Sequence, residues 1–204
     1  MSKGAPATSP ARPLDSAQPA PLRAGCDASR MAGAKMPEVG RFFSRSELIA
    51  ARAAWKRAGK VVVFTNGCYD LLHPGHVRLL ERARSLGDVL ILALNSDASV
   101  RRLKGPSRPL IAEGDRVELL LSLAAVDAVT LFDEDTPREL IAALLPDILV
   151  KGADWAHFVA GREEVEAAGG KVVLLPLEAG YSTTGIVETI FQRFCSQRDA
   201  PRRS

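Results

Sequence analysis

Two histidines stand three residues apart in His73-Pro74-Gly75-His76, a few residues after the run Val61-Val62-Val63-Phe64-Thr65-Asn66-Gly67. An imidazole, neutral or protonated, can donate to a phosphate oxygen, and a pair of them can take up charge developing on a transferring group. A chance His-x-Gly-His occurs on the order of once per hundred chains of this size, and its place directly after a strand-like run makes the functional reading stronger. Lys104 lies in Leu103-Lys104-Gly105-Pro106, read as a loop broken by Gly and Pro. A mobile ammonium there can close over a polyphosphate; a solvated surface lysine is the plain alternative. Ser182-Thr183-Thr184 reads as a helix cap whose hydroxyl and N–H groups can also serve phosphate.

Other residues carry less. Cys68 has no committed base partner and reads as a small buried side chain. Asp70 and Asp154 suit either loop caps or ligand acceptors, and spacing does not decide between them. His157 reads as a surface residue. No carboxylate cluster suggests a dedicated metal cage, so any Mg2+ is expected to arrive on a nucleotide, held by phosphates and water. The chain has neither a P-loop lysine motif nor GxGxxG, which argues against a kinase-type NTPase or a dehydrogenase.

These residues need a scaffold, and the hydrophobic pattern supplies one. The β-branched run at 61–65 reads as a buried parallel strand. Gly67 allows close backbone approach to a ligand, and Pro74 suits the first turn of a helix from about Pro74 to Leu86. A strand, a Gly-containing turn and a helix N-terminus together make an anion site. Helices are predicted over Ser44–Ala58 (with Ser44 and Glu47 as a capping box), 113–124, from Thr136-Pro137 to Pro146, near 162–168, and 182–194, with a short one before Arg102. Strands are predicted at 89–94, 126–132, 148–150 and 172–175. Alternating strands and helices predict a Rossmann-like five-stranded parallel sheet with helices on both faces. Ligands then sit at the carboxyl ends of the strands, where Thr65–His76, Asn95–Asp97 and Lys151–Trp155 all fall.

At 204 residues and 47% hydrophobic, the chain can bury one sizeable core. Residues 1–38, with six prolines and no periodicity, predict a disordered extension in which Met31 and Met36 are alternative starts. The expected domain is 39–196, followed by a basic tail at 197–204. The net charge of +3 divides into +2 over residues 1–40, +3 over 193–204 and −2 between them. No basic nucleic-acid face is expected from that distribution. No apolar run reaches the ~18 residues of a membrane span, and the start lacks a signal-peptide core. Three scattered cysteines fit a reduced, cytoplasmic setting.

From about Lys60 to Phe194 the chain resembles the cytidylyltransferase-like nucleotidyltransferase superfamily, and within it the D-glycero-β-D-manno-heptose 1-phosphate adenylyltransferase family. Phe64-Thr65-Asn66-Gly67-Cys68-Tyr69-Asp70, His73-Pro74-Gly75-His76, Leu94–Asp97, Leu103–Gly105, Arg108-Pro109, Val150–Trp155 and Gly180–Thr184 carry the likeness. The resemblance implies attack of a sugar-phosphate oxygen on the α-phosphorus of ATP, giving ADP-heptose and pyrophosphate for the lipopolysaccharide core, with no covalent enzyme intermediate. It implies catalytic roles for His73, His76 and Lys104. Nucleotide contacts fall to Thr65, Asn66, Gly67, Asp154, Ser182, Thr183 and Thr184, and sugar-phosphate contacts to Asp70, Arg116 and Lys151. It also implies Mg2+ carried with ATP, a homodimer, and a separate sugar kinase upstream, since the kinase domain often fused in this family has no room here. The continuation Ala153–Val159 departs from the family's usual pattern. A cytidylyltransferase of a polyol or amino-alcohol phosphate, or a nucleotide-binding module without turnover, are the alternatives.

Overall fold

The computed structural model describes residues 40–155 and 157–194. The expected extension at 1–38, the tail at 197–204, Cys26 and Cys195 lie outside the described residues. Six parallel strands form one sheet: β1 (Arg41–Phe42), β2 (Val62–Gly67), β3 (Val89–Asn95), β4 (Ala128–Phe132), β5 (Ile148–Gly152) and β6 (Lys171–Leu175), in the order β1-β4-β3-β2-β5-β6. The expected five strands are thus joined by a sixth. β1 adds two residues to the edge of β4, pairing Arg41 with Ala128 and Phe42 with Val129. A two-residue strand has no periodicity to read.

The helices are α1 (Arg45–Arg57), α2 (Pro74–Arg84), α3 (Asp97–Lys104), α4 (Glu113–Leu121), α5 (Arg138–Leu144), α6 (Arg162–Ala167) and α7 (Thr183–Phe194). Side chains alternate across the central strands, which is why their sequences are apolar throughout. On one face Val62, Phe64, Ile91 and Leu149 pack with Leu48, Leu140, Ile141 and Val165 from α1, α5 and α6. On the other, Val63, Leu90, Leu92 and Val150 pack with Leu80, Ala83 and Leu120 from α2 and α4. Helices therefore cover both faces.

The local signals hold with two exceptions. Ser44 and Glu47 form the capping box of α1, and Ser182 Oγ accepts from Gly185 N at 2.9 Å at the start of α7. Arg102, Leu103 and Lys104, expected in a loop, instead form the last turn of α3, whose N-cap Ser96 accepts from Ser99 N. Thr136 does not cap α5; Pro137 occupies the N-cap position, with no side-chain capping bond.

The order of strands sets the location of the site. From β2 the chain winds outward through β3 to β4, then returns to place β5 on the other side of β2. The two halves diverge between β2 and β5, leaving a crevice beyond their carboxyl ends.

Candidate active site

The crevice is built on the exit from β2. Thr65 is buried near its end. Tyr69 turns the chain with φ of 45°, and its ring closes over Gly67, where a Cβ would stand 2.9 Å from Tyr69 Cε2. Burial pushes the Tyr69 hydroxyl's pKa up, with the Thr65 side chain opposing, so the phenol stays neutral.

His73 is the N-cap of α2, and its Nδ1 accepts from His76 N at 3.3 Å. The two rings stack, with centroids 3.7 Å apart and 16° between planes. Tyr181, just before α7, lies beyond His73 at 6.1 Å. The glycine between the histidines lets the two rings and Tyr181 pack closely, since a Cβ on Gly75 would meet Tyr181 Cβ at 3.0 Å and His73 Nδ1 at 3.1 Å and push them aside. His-x-Gly-His is thus one packed unit. Burial, then the neighbouring His73 and Lys104, drive the pKa of His76 down to about 4, with the backbone of Leu71 opposing. Burial lowers His73 also. Both imidazoles are neutral donors near pH 7.

Two cavities adjoin at this point. The first, of about 180 Å³, is the crevice itself, with Thr65, His76, Asp154, Leu177 and Thr183 among its walls. The second, of about 290 Å³, extends toward the ends of β3 and β4 and reaches Asn95, Leu103, Thr136, Pro137 and Phe158. Asn66, Gly67, Cys68, Lys104, Lys151 and Trp155 line both.

Lys151 is the more buried of the two shared ammonium groups. Burial lowers its pKa to about 8, with Asp154 and Cys68 opposing, and its Nζ stands 5.6 Å above the Trp155 ring. Trp155 and Asp154 belong to a 3-10 turn, Ala153–Trp155, that follows β5. Gly152 leaves room for the Asp154 carboxylate to fold back over it, because a Cβ there would lie 2.4 Å from Asp154 Oδ1. Lys104 enters from α3, and no carboxylate pairs with it among the described residues. Burial raises the Cys68 thiol's pKa, with Lys104 and Arg116 opposing, and its Sγ points to Asn95 Oδ1 at 3.8 Å. That is the geometry of a packed thiol.

The remaining candidates lie around the crevice in different roles. His73 borders the outer groove along α2 with Leu72 and Val77. Ser182 is engaged as a cap, Thr183 faces the crevice, and Thr184 is exposed and outside its walls. Asp70 touches the crevice wall but is buried and saturated: it accepts from Arg108 Nη1 at 2.6 Å, Leu110 N at 2.7 Å and Ile111 N at 3.1 Å. Burial would raise its pKa, but these donors, Arg108 foremost, hold it below the usual carboxylate value. Arg116 is 1% exposed and donates to Ile111 O, to Cys68 O at 2.6 Å and to Asp97 Oδ1 at 2.7 Å. Through these bonds Asp70 and Arg116 tie the α3–α4 loop to the exit from β2. Asn95 and Trp155 fell within the strand-end stretches marked in the sequence but were given no role of their own, and Thr136 and Phe158 were not among the site candidates.

Among the described residues no group of three or more His, Cys, Asp or Glu converges to hold a metal ion. The donors at the crevice are ammonium, imidazole, amide and hydroxyl groups, suited to phosphate oxygens. This combination of a switch-point crevice, a helix N-terminus beside it and two lysines in its wall defines a Rossmann-like nucleotidyltransferase domain.

Comparison with known proteins agrees. The Cytidylyltransferase-like family matches residues 64–189, and the chain belongs to it. "Bifunctional protein HldE" of Syntrophotalea carbinolica is 59% identical over 140 residues, which is 68% of this chain and 29% of that protein. The protein of the same name from Mesorhizobium japonicum is 62% identical over 136 residues, 66% of this chain and 27% of its own length. The chain thus spans under a third of the curated relatives it matches. A pantoate-β-alanine ligase from Francisella tularensis shares the fold, with a TM-score of 0.50 and 14% identity over 75% of this chain and 78% of that one.

Proposed function

We propose that this chain transfers AMP from ATP to a sugar 1-phosphate, D-glycero-β-D-manno-heptose 1-phosphate, releasing ADP-heptose and pyrophosphate. The observation that carries the reading is the convergence of His76, Lys104 and Lys151 on one crevice at the N-terminus of α2. The acceptor's phosphate oxygen forms a bond to the α-phosphorus as the bond from that phosphorus to the leaving pyrophosphate oxygen breaks. His76 donates to the α-phosphoryl oxygens from its neutral ring, with His73 fixing its backbone and plane. Lys104 closes on the leaving phosphates from α3, and Thr183 with the free N–H groups of α7 holds them. Lys151 holds the acceptor's phosphate. Mg2+ carried by ATP would be held by the phosphates and water rather than by a carboxylate cluster of the described residues, and would supply neutralising charge there. Asn66, Gly67 and Asp154 line the nucleotide's berth. Catalysis of this kind is positioning plus charge stabilisation.

The high identity to proteins named HldE over the matched region supports the heptose substrate. The reading places the enzyme in the cytoplasm, as a homodimer, with a kinase acting first on the anomeric hydroxyl; no helix of the described residues is long and apolar enough to cross a membrane.

Pyrophosphate release tests the reading, with ATP or CTP against heptose 1-phosphate, glycerol phosphate and ethanolamine phosphate. ATP-dependent turnover of the heptose phosphate is expected. Turnover with CTP alone would replace the reading with a cytidylyltransferase, and a His73→Ala/His76→Ala enzyme with unchanged kcat would overturn the mechanism.

A further inference from the structure

The second cavity has a composition that phosphate binding does not explain. Its deep wall is polar: Asn95, 4% exposed, is held by donating from Nδ2 to Ser99 Oγ at 3.0 Å, and Asn66 Oδ1 beside it is buried with no partner among the described residues. Thr136, exposed on the loop between β4 and α5, adds a hydroxyl nearer the mouth, beside Asp135, which already pairs with Arg102 at 3.0 Å. Its rim is apolar, and three separate elements supply it. Leu103 on the last turn of α3 is 50% exposed, Trp155 after β5 is 49% exposed, and Phe158 before α6 is 53% exposed. Large apolar side chains left open to water singly need no explanation, but three converging on one polar-floored cavity point to a ligand.

We infer that this second cavity is the acceptor site, and that Asn66, Thr136, Trp155 and Phe158 select a ring-form sugar phosphate. The inference rests on the transfer reading above and assigns the acceptor's recognition within it. A pyranose offers hydroxyl groups at its edges and a C–H face that packs on an aromatic ring. The floor supplies partners for the first, including the unpartnered Asn66 oxygen, and Trp155 and Phe158 supply the second. The shared wall at Gly67, Lys104 and Lys151 places the acceptor's phosphate beside the crevice, where the α-phosphorus of a bound nucleotide lies within reach. A short amino-alcohol phosphate would leave the Asn66 amide, the Thr136 hydroxyl and the aromatic rim unused. A site built to bond hydroxyls discriminates strongly against ligands lacking them.

The test uses residues that belong to one cavity only. Thr136→Val and Phe158→Ala are expected to raise the KM for heptose 1-phosphate about tenfold, with the KM for ATP within about twofold. Thr183→Val, on the crevice side, is expected to reverse that pattern. Binding is followed independently of turnover through fluorescence. The chain has two tryptophans, Trp55 and Trp155, so a Trp55→Phe enzyme reports from Trp155 at the junction of the two cavities, and Phe158→Ala, in the second cavity only, assigns the signal. Titration with heptose 1-phosphate is expected to change Trp155 emission saturably, and Phe158→Ala to shift that curve about tenfold; ethanolamine phosphate is expected to leave it unchanged. Saturable binding without any pyrophosphate release would refute the transfer reading and leave the cavity assignment standing. Turnover of the heptose phosphate with acceptor KM unmoved in both cavity variants would refute the assignment and leave the reading standing. An equal response to ethanolamine phosphate would also overturn it.

Discussion

The His73 and His76 rings lie face to face, 3.7 Å apart, so neither can gain a proton without placing charge against the other. The pKa of His76 falls to about 4, chiefly by burial and then by its charged neighbours, while in the unfolded chain it is about 6.5. The unfolded state therefore binds more protons between those values, and stability rises with pH across that window. On acidification from pH 6.5 toward 4 the melting temperature is expected to fall, and to fall less steeply in His76→Gln. A difference in stability of about 1 kcal/mol would appear as roughly 2–4 °C. Thermal melts of both proteins across this range check it, and parallel slopes would show that His76 is not the titrating group.

Lys151 has the opposite use for its proton. Its pKa of about 8, lowered by burial, means the free enzyme loses this ammonium just above neutral pH, and with it a partner for phosphate. The pH profile of kcat/KM is expected to bend downward above about 8, approaching tenfold per pH unit. Lys151→Arg keeps its charge and is expected to remove the bend, at a lower plateau because the planar guanidinium fits the space differently. A bend that persists in Lys151→Arg would assign it to another group.

These two sites differ in how far the sequence announced them. The histidines were legible because strand, turn, cap and helix follow one another within sixteen residues, and the apolar runs of β2 and β3 required burial on both faces. Ser44 and Glu47 were legible for the same local reason. Lys104 was placed in a loop because Gly105 and Pro106 follow it, but a helix can run up to such a break, and Ser96 caps one that does. Asn95, Thr136 and Phe158 meet only because three strand ends come together across the sheet, a relationship no spacing records. The bracing of Asp70 by Arg108, Leu110 and Ile111 spans about forty residues, so the local sequence leaves it open between a loop cap and a ligand acceptor.

Gly75 separates packing from folding. A helix tolerates Ala at this position at least as well as Gly, by up to about 1 kcal/mol. Yet its Cβ would press within 3.1 Å of His73 Nδ1 and 3.0 Å of Tyr181 Cβ, pushing the stacked rings out of line. Gly75→Ala is expected to melt within about 2 °C of the parent while kcat falls about 10–100-fold, the scale of a catalytic group displaced by under an ångström. Unchanged kcat would mean that the ring positions are not critical.

Asp70 and Arg116 provide the sharpest contrast between contact and support. Removing the guanidinium in Arg116→Met leaves the Asp97 carboxylate and the carbonyls of Cys68 and Ile111 without their donor, a loss of about 3–5 kcal/mol for a broken buried pair. Asp70→Asn keeps the shape and can still accept from Leu110 and Ile111, but gives up the charge facing Arg108, at about 1–3 kcal/mol. If both are braces, melting temperatures fall in that order, while KM for ATP and for the acceptor, measured well below the melt, stays within about threefold. If either holds the acceptor's phosphate instead, its substitution raises acceptor KM by tenfold or more, the cost of one lost charged hydrogen bond. Melting curves and steady-state kinetics on the same two variants decide it. The saturated hydrogen bonding of both side chains favours the brace, because a substrate phosphate would have to displace partners already held at 2.6–2.7 Å.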